Sequence, residues 1–182
     1  RIDMALNPKV ISFFDERTFT IPHIVTCPET GATAIIDPVL DYDAASGRTY
    51  KESAEAVINQ IGQGRGVVEW VLETHVHADH LTGAPYVKEC LGGKTGIGAN
   101  VDKVQETFKK IFNAEDAFAT DGSQFDHLFQ DGEEFKIGNL TARVMFTPGH
   151  TPACATYVIG NAAFIGDTMF SPDFGTARCD FP

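Results

Sequence analysis

The sequence predicts one α/β (α+β) domain over residues 1–182, in which strands and helices alternate in mixed order. Two observations predict this class. Short apolar runs of strand character alternate with segments whose apolar residues recur at helical spacing. In addition, the residues able to bind metal stand where predicted strands end. A hydrophobic content of 43% with 21% charged residues is typical of a globular domain and argues against a disordered chain.

The first predicted elements are a hairpin and a helix. Residues 23–39 read "HIVTC", a turn at "PETG" and then "ATAIIDPV", which predicts two paired strands. Residues 46–64 predict a helix, because Ala54, Val57 and Ile61 share one face and glycines follow them.

The remaining elements continue the alternation. Residues 66–75 predict a buried strand, because the apolar residues between Val67 and Leu72 are nearly continuous. After this strand we expect helices over 80–92 and 100–112, a short strand over 94–100, paired strands over 133–138 and 140–148, and a hairpin over 154–168.

Charge and composition exclude several classes of partner. A net charge of −11 argues against nucleic acid and anionic lipid, since both are bound through clustered Lys and Arg. No apolar run approaches about 18 residues, so no membrane span is expected. The N-terminal residues resemble neither a signal peptide nor a transit peptide. The four cysteines form no CxxC pair, so we expect reduced, mostly buried thiols in a cytoplasmic protein; they are Cys27, Cys90, Cys154 and Cys179.

The stretch "ETHVHADHLTG", residues 73–83, concentrates potential metal ligands. Three histidines and an aspartate fall within six positions: His75, His77, Asp79 and His80. Because residues i and i+2 at the end of a strand point the same way, the first two histidines can face one point.

Two further ligand candidates stand at later strand ends. His150 follows a Pro-Gly turn in "TPGHTPAC", and Asp167 follows an apolar strand and a glycine in "FIGDT". Imidazole and carboxylate together suit zinc, iron or manganese. The sequence therefore predicts a metal site assembled from loops that meet at one rim of a sheet.

These motifs resemble those of the metallo-β-lactamase superfamily. "THVHADH" resembles its T-H-x-H-x-D-H motif, and "PGHT" and "GDT" resemble its next two metal motifs in the same order. The resemblance runs from about residue 20 to the end of the sequence. It implies an αββα sandwich, in which two mixed β-sheets pack face to face with helices outside and metal at one rim.

Two activities within this superfamily remain open, and a non-catalytic module stabilised by metal is a third, weaker alternative. One is a two-zinc thioester hydrolase similar to glyoxalase II. For that enzyme the resemblance implies one ion on His75, His77 and His150, a second on Asp79 and His80, and a bridge at Asp167.

The flanking residues resemble the persulfide dioxygenases more closely. Ala78 precedes the aspartate of the first motif, Gly149 precedes the later histidine, and an R-x-D-F pattern follows the GD motif at residues 178–181. This branch implies a non-heme Fe(II) enzyme that oxidises glutathione persulfide to sulfite with O₂.

The same resemblance assigns roles to the site residues. A single Fe(II) would be held by His75, His150 and Asp167, a facial triad that leaves three positions open. The remaining motif residues, His77, Asp79 and His80, would orient these ligands or bind a second metal.

Two residues near the end of the sequence concern the substrate. Arg178 would grip a carboxylate of glutathione, because its planar fork suits bidentate pairing. The neighbouring Cys179 would be redox-active only with exposure and a lowered pKa, and we expect an ordinary thiol there.

Only 15 residues follow Asp167, since 182 − 167 = 15. The αββα fold needs further strands and a helix after that point, so we expect the natural chain to continue beyond Pro182. The resemblance also suggests a homo-oligomer and a rhodanese-like partner.

Overall fold

The computed structural model describes residues 6–43, 45–64, 66–77, 81–111, 119–177 and 179. The strands are β1 Lys9–Ser12, β2 His23–Thr26, β3 Ala32–Ile36, β4 Val39–Asp43, β5 Arg48–Tyr50, β6 Val67–Leu72, β7 Leu81–Thr82, β8 Lys94–Gly98, β9 His127–Phe129, β10 Glu134–Ile137, β11 Leu140–Phe146, β12 Ala155–Ile159 and β13 Ala162–Phe164. The helices are α1 Glu52–Gly64, α2 Ala84–Leu91 and α3 Val101–Ile111, and a 3₁₀ turn spans Gly166–Thr168.

These strands form three sheets. The largest has the order β1-β2-β3-β6-β8-β9, antiparallel from β1 to β3 and parallel from β3 to β9. The second, β10-β11-β12-β13, is antiparallel throughout its described strands. A small third sheet has the order β5-β4-β7. The predicted pair of packed sheets is confirmed, and the third sheet is an addition to it.

The main core lies between the two larger sheets, and a second core lies between the first sheet and its helices. Strand β3 contributes to both, because its side chains alternate between the faces. Ala34 and Ile36 join the inter-sheet core, whereas Ile35 packs with Val57 of α1 and Val87 of α2. This is why the whole strand is buried and reads as a continuous apolar run.

The second sheet shows the opposite pattern. On β11, Leu140, Ala142 and Val144 are buried, and the alternate residues Thr141 and Met145 are exposed. The described helices thus cover one side of the predicted sandwich, and this part of the second sheet faces outward.

Two predicted helices begin later than expected. Strand β5 occupies the start of the stretch 46–64, and α1 begins just after it. In the first turn of α1, the Ser53 amide and the Ser53 hydroxyl donate hydrogen bonds to the Asp41 carboxylate at 2.8 Å and 2.6 Å. Similarly, Leu81 and Thr82 pair with β4, so α2 begins at Ala84. In both cases, pairing with β4 outweighs local helical propensity.

The cysteines divide evenly instead of being mostly buried. Cys27 and Cys154 are buried, whereas Cys90 and Cys179 are exposed. Among the helices in the described parts of the chain, none is long and apolar enough to cross a membrane.

Candidate metal centre

Three predicted ligands lie together at one rim of the sandwich. Ligand atoms of His75, His150 and Asp167 lie within 4.8 Å of one another. His75 follows β6, His150 lies between β11 and β12, and Asp167 is in the 3₁₀ turn after β13. The sequence predicted this convergence from three separate strand ends, and the structure brings the three side chains together.

The spacing of these atoms fits one metal ion. Asp167 Oδ2 lies 3.9 Å from His75 Nε2 and 3.6 Å from His150 Nε2. Two ligands each about 2.1 Å from a common ion lie about 3.0 Å apart at a right angle and at most about 4.2 Å apart. Two imidazoles and a carboxylate are also a donor set that zinc, iron and manganese accept.

Access to the centre is one-sided. The side chains of His75 and His150 are 2% and 12% exposed, whereas that of Asp167 is 40% exposed. Within the part of the chain that the structure describes, Asp167 is therefore the most accessible of the three candidate ligands, while the imidazoles are fixed in the protein.

The tautomer of His75 follows from its hydrogen bonds. Thr74 donates its single hydroxyl hydrogen to Asp37 Oδ2 at 2.7 Å, so its oxygen accepts in the 3.0 Å contact with His75 Nδ1. His75 Nδ1 must then carry the hydrogen, and the Nε2 lone pair faces His150 and Asp167. A relay that fixes the tautomer of a ligand is a common feature of metal sites.

Asp37 is held in place by the same residue. Its Oδ1 accepts a hydrogen bond from the Thr74 amide at 2.7 Å, and its backbone has φ +50°, a left-handed conformation that Asp tolerates. Burial raises the pKa of this carboxyl, but contacts with His77 and His75 outweigh burial and lower it.

Gly166 allows the loop of Asp167 to approach Thr74 closely. Its φ is +51°, and a Cβ at this position would collide with the Thr74 hydroxyl. Only glycine satisfies both conditions without strain. The glycine of the GD motif thus brings the carboxylate against the strand end that carries His75.

His77 belongs to a second buried group, with Asp37 and Glu73. Its ring centroid lies 4.2 Å from that of His75, yet its Nε2 lies 3.6 Å from Asp37 Oδ1 and 3.3 Å from Glu73 Oε2. The two rings are thus neighbours, and the Nε2 atoms of the two histidines belong to adjacent groups of possible ligand atoms. Strand β6 ends at Leu72, so strand alternation does not extend to them.

Electrostatics within this second group are strong. Burial lowers the pKa of His77, but its contacts with Asp37 and Glu73 outweigh burial and raise the pKa to about 10. Burial raises the pKa of Glu73 to about 7, although His77 and Thr82 act in the opposite direction.

Three predicted site residues, Asp79, His80 and Arg178, lie outside the described residues. Sequence analysis missed the supporting roles of Asp37, Thr74 and Glu73. A signal for one of them was present, because Glu73 is a carboxylate at the end of an apolar run that predicts a fully buried strand.

Comparison with known proteins identifies the family. The model of the metallo-β-lactamase superfamily matches residues 24–181. The chain belongs to this superfamily. In solved structures the same fold occurs in ETHE1 from Myxococcus xanthus, which superimposes with a TM-score of 0.71 at 24% identity over 95% of this chain and 62% of that one.

Relatives within the superfamily carry names of two kinds. A probable metallo-hydrolase of Burkholderia pseudomallei is 52% identical over 95% of this chain, and glyoxylase B2 of Dictyostelium discoideum is 50% identical over 98% of it. The human mitochondrial persulfide dioxygenase ETHE1 is 25% identical over 92% of the chain. The chain spans 62% of the length of each of the first two relatives and 54% of the third.

Proposed function

We propose that this superfamily member is an Fe(II)-dependent persulfide dioxygenase that oxidises glutathione persulfide with O₂. The observation that carries the proposal is the group of His75, His150 and Asp167, two imidazoles and one carboxylate with an open side. The likeness to persulfide dioxygenases in the motif residues Ala78 and Gly149 supports it.

The overall reaction balances when water supplies the third oxygen atom of sulfite. Glutathione persulfide, O₂ and water give glutathione, sulfite and two protons, so the outer sulfur is oxidised and O₂ is reduced. Bound Fe(II) supplies the exchange of electrons with O₂, which zinc cannot supply.

The protein's own residues fix and shield the reacting region. The relay through Thr74 presents the Nε2 of His75, and burial of both imidazoles keeps bulk water from their side of the centre. The exposed side of Asp167 leaves room for the persulfide to approach. Because the chain has a net charge of −11, an anionic substrate requires a local cation, and Arg178 is the proposed partner of a glutathione carboxylate.

A zinc-dependent thioester hydrolase similar to glyoxalase II is the second candidate. One observation favours it, namely the names of the relatives at 52% and 50% identity. A hydrolase of this type requires two ions, whereas the dioxygenase requires one redox-active ion.

Metal and oxygen measurements separate the two candidates. Full-length protein loaded with Fe(II) should consume O₂ with glutathione persulfide and release sulfite, and zinc-loaded protein should not. Rapid hydrolysis of S-lactoylglutathione without oxygen uptake from the persulfide would instead establish the hydrolase.

A pair of aspartate variants tests the site. Asp167→Asn removes the anionic ligand and should weaken Fe(II) binding by more than the roughly 10–100-fold that outer partners of ligands contribute. Asp173→Asn is the matched control, since Asp173 is an exposed aspartate six positions along the same segment. Equal metal retention in both variants would count against Asp167 as a ligand.

A further inference from the structure

Strand β1 is an exposed edge of the largest sheet. It stands at one end of the strand order, and all four of its residues are exposed. Its pairing with the neighbouring strand continues past its last residue. The Phe13 amide donates a hydrogen bond to the Pro22 carbonyl at 2.9 Å. The Asp15 amide donates one to the Thr20 carbonyl, also at 2.9 Å. Residues 9–15 therefore form one extended edge.

These bonds decide which backbone groups of the edge point outward. Phe13 and Asp15 direct their amides toward the neighbouring strand, and residues along an antiparallel ladder alternate between bonding to that strand and pointing away from it. The amides and carbonyls of Val10, Ser12 and Phe14 therefore point away from β2, to the side on which no described strand pairs with β1. Such an edge is a template for pairing with another strand.

The edge also carries apolar side chains that the described part of the chain leaves uncovered. Val10, Ile11 and Phe14 are all exposed. Phe19, at the tip of the hairpin, is 78% exposed, and its ring centroid lies 6.1 Å from that of Phe14. Natural sheets protect long edges with charges, proline or bulges, whereas β1 itself has a single charged residue, Lys9. This edge is therefore better suited to pairing than to contact with solvent.

A second copy of the chain is the partner that the residue pattern of the edge favours. When two such edges pair antiparallel about a two-fold axis at Ser12, that residue faces itself, and Val10 faces Phe14 of the other copy. Each of these outward pairs exchanges both of its N–H···O bonds. The same register places Lys9 opposite Asp15 of the other copy. Opposite charges therefore meet at both ends of the contact, and apolar side chains meet between them.

Shifted registers fit less well. When the axis moves by one residue toward the N-terminus, Phe14 lies opposite Pro8, which has no amide hydrogen to donate. When it moves by one residue in the other direction, the apolar Ile11 lies opposite the Asp15 carboxylate. The register centred at Ser12 combines the outward hydrogen bonds with matching side chains, so the edge is complementary to itself in this register.

We propose that the protein forms a homodimer by antiparallel pairing of the β1 edges of two copies about a two-fold axis at Ser12. Ile11 of one copy then contacts Phe13 of the other on the helix-covered face of the sheet. Val10 contacts Phe14 of the other copy on the opposite face. The largest sheets of the two copies become one continuous sheet, and both open edges are paired. The interface uses no residue of the metal centre, so it goes beyond the proposed reaction.

Cysteine cross-linking tests the position of the axis. Full-length protein with the exposed Cys90 and Cys179 changed to serine is the parent, and its Ser12→Cys variant is oxidised and resolved on a non-reducing gel. Facing residues of a hydrogen-bonded pair have Cα atoms about 5.5 Å apart, a distance that a disulfide spans. A strong dimer band is expected from Ser12→Cys and none from the parent.

Ile11→Cys is the matched control for the cross-link. Its position is exposed on the same strand, but its counterpart in the other copy lies two residues away along the paired strand. The two Cα atoms are then about 8 Å apart, which is beyond the reach of a disulfide. Under the same oxidation, Ile11→Cys should give about tenfold less covalent dimer than Ser12→Cys.

Sedimentation equilibrium of the full-length protein measures the strength of the contact. The wild type should be a dimer at micromolar concentration. Ser12→Pro removes an outward amide that takes no part in pairing with β2, so it should keep the wild-type circular dichroism and weaken the dimer by about a hundredfold or more.

Charge variants test the two ends of the contact. Lys9→Glu places like charges opposite each other at both ends and should weaken the dimer about tenfold. Adding Asp15→Lys restores opposite charges and should recover part of this loss. Lys103→Glu is the matched control, because it changes the net charge equally at an exposed position on α3 and should leave the dimer unchanged.

Three results would overturn the proposal. A monomeric wild type would mean that another segment of the full-length chain covers the edge, or that the edge stays open. A dimer that withstands both Ser12→Pro and Lys9→Glu would place the interface elsewhere. Equal cross-linking of Ile11→Cys and Ser12→Cys would reject the axis at Ser12.

Discussion

The hydroxyl of Thr147 lies 3.0 Å from the hydroxyl of Thr168. Thr168 directly follows Asp167, and Thr147 begins the turn that leads to His150. A third hydroxyl, that of Thr156 on β12, lies 3.0 Å from Thr147 as well. This small network connects the loops of two ligands to the second sheet and fixes the distance between them.

Thr147→Val should therefore weaken metal binding while leaving the fold intact. Loss of the shared hydroxyl lets the two loops move apart, and an effect of about tenfold on the metal dissociation constant is expected from the loss of an outer partner. Thr147→Ser should restore affinity. The control is Thr26→Val, which breaks the 3.1 Å hydroxyl contact between Thr26 and Thr33 away from the site; an equal loss of affinity in this control would contradict the prediction.

Thr74→Val should act on the tautomer of His75. Valine has nearly the same shape but cannot connect Asp37 to the imidazole. The ring hydrogen is then no longer confined to Nδ1, so Nε2 can carry it and lose the lone pair that binds a metal. We expect about 10–100-fold weaker metal binding and a loss of about 1–3 kcal/mol in unfolding free energy, since buried polar atoms lose their partner. Calorimetric metal titration and urea unfolding measure the two effects, and Thr74→Ser should recover both. Unchanged affinity in Thr74→Val would mean that the relay does not select the tautomer.

Gly166→Ala should be more damaging than Gly175→Ala. Both glycines have positive φ, at +51° and +70°, so both substitutions introduce backbone strain. Only the first also forces a Cβ into Thr74, whereas no atom lies within 4 Å of the Cβ position at Gly175. The overlap should cost Gly166→Ala about 1–3 kcal/mol more in urea unfolding. Similar costs for the two variants would show that the close approach to Thr74 is unimportant.

Asp126 should make stability depend on pH at the acidic end. The Lys88 ammonium at 2.5 Å and the Thr95 amide at 2.8 Å lower the pKa of this carboxyl to about 2. A lowered pKa in the folded state stabilises the protein above the ordinary Asp pKa of about 3.9, and this contribution is lost as the pH falls towards about 2.

Asp126→Asn should lower the melting temperature by about 2–4 °C near neutral pH, as expected for a loss of about 1 kcal/mol in a domain of this size. The difference from wild type should shrink between about pH 4 and pH 2. Lys88→Met should raise the pKa of Asp126 towards its ordinary value, which an NMR titration detects. A difference that stays constant down to pH 2 would contradict the assignment.

Sequence patterns predicted the elements whose signal is local. The continuous apolar run of β6 and the Gly-Asn turn after Ile159 each specify their structure within a few residues. The third sheet was not predictable in this way, because β7 has two residues and exists only through its pairing with β4. Such a strand has no period of its own to detect.

The same distinction applies to the metal centre. Its candidate ligands were predictable because three histidines and an aspartate cluster within six positions and two further motifs follow them in the order known for the superfamily. Glu73 and Thr74 were not assigned, because their roles depend on which atoms of Asp37, His77 and Thr82 lie beside them. Contacts between residues far apart in sequence decide such roles, and a single sequence does not record them.

The three candidate ligands also lie in distant parts of the polypeptide. His75 and Asp167 are 92 positions apart, since 167 − 75 = 92, and the chain between them includes most of the inter-sheet core. An ion shared by both residues closes a loop of this length, and cross-linking a loop of about 100 residues restricts the unfolded chain by up to about 4–5 kcal/mol. Removal of the ion with a chelator should consequently expose the segment after β13 to proteases before the strands themselves are cleaved, so metal supply would also govern the lifetime of the protein.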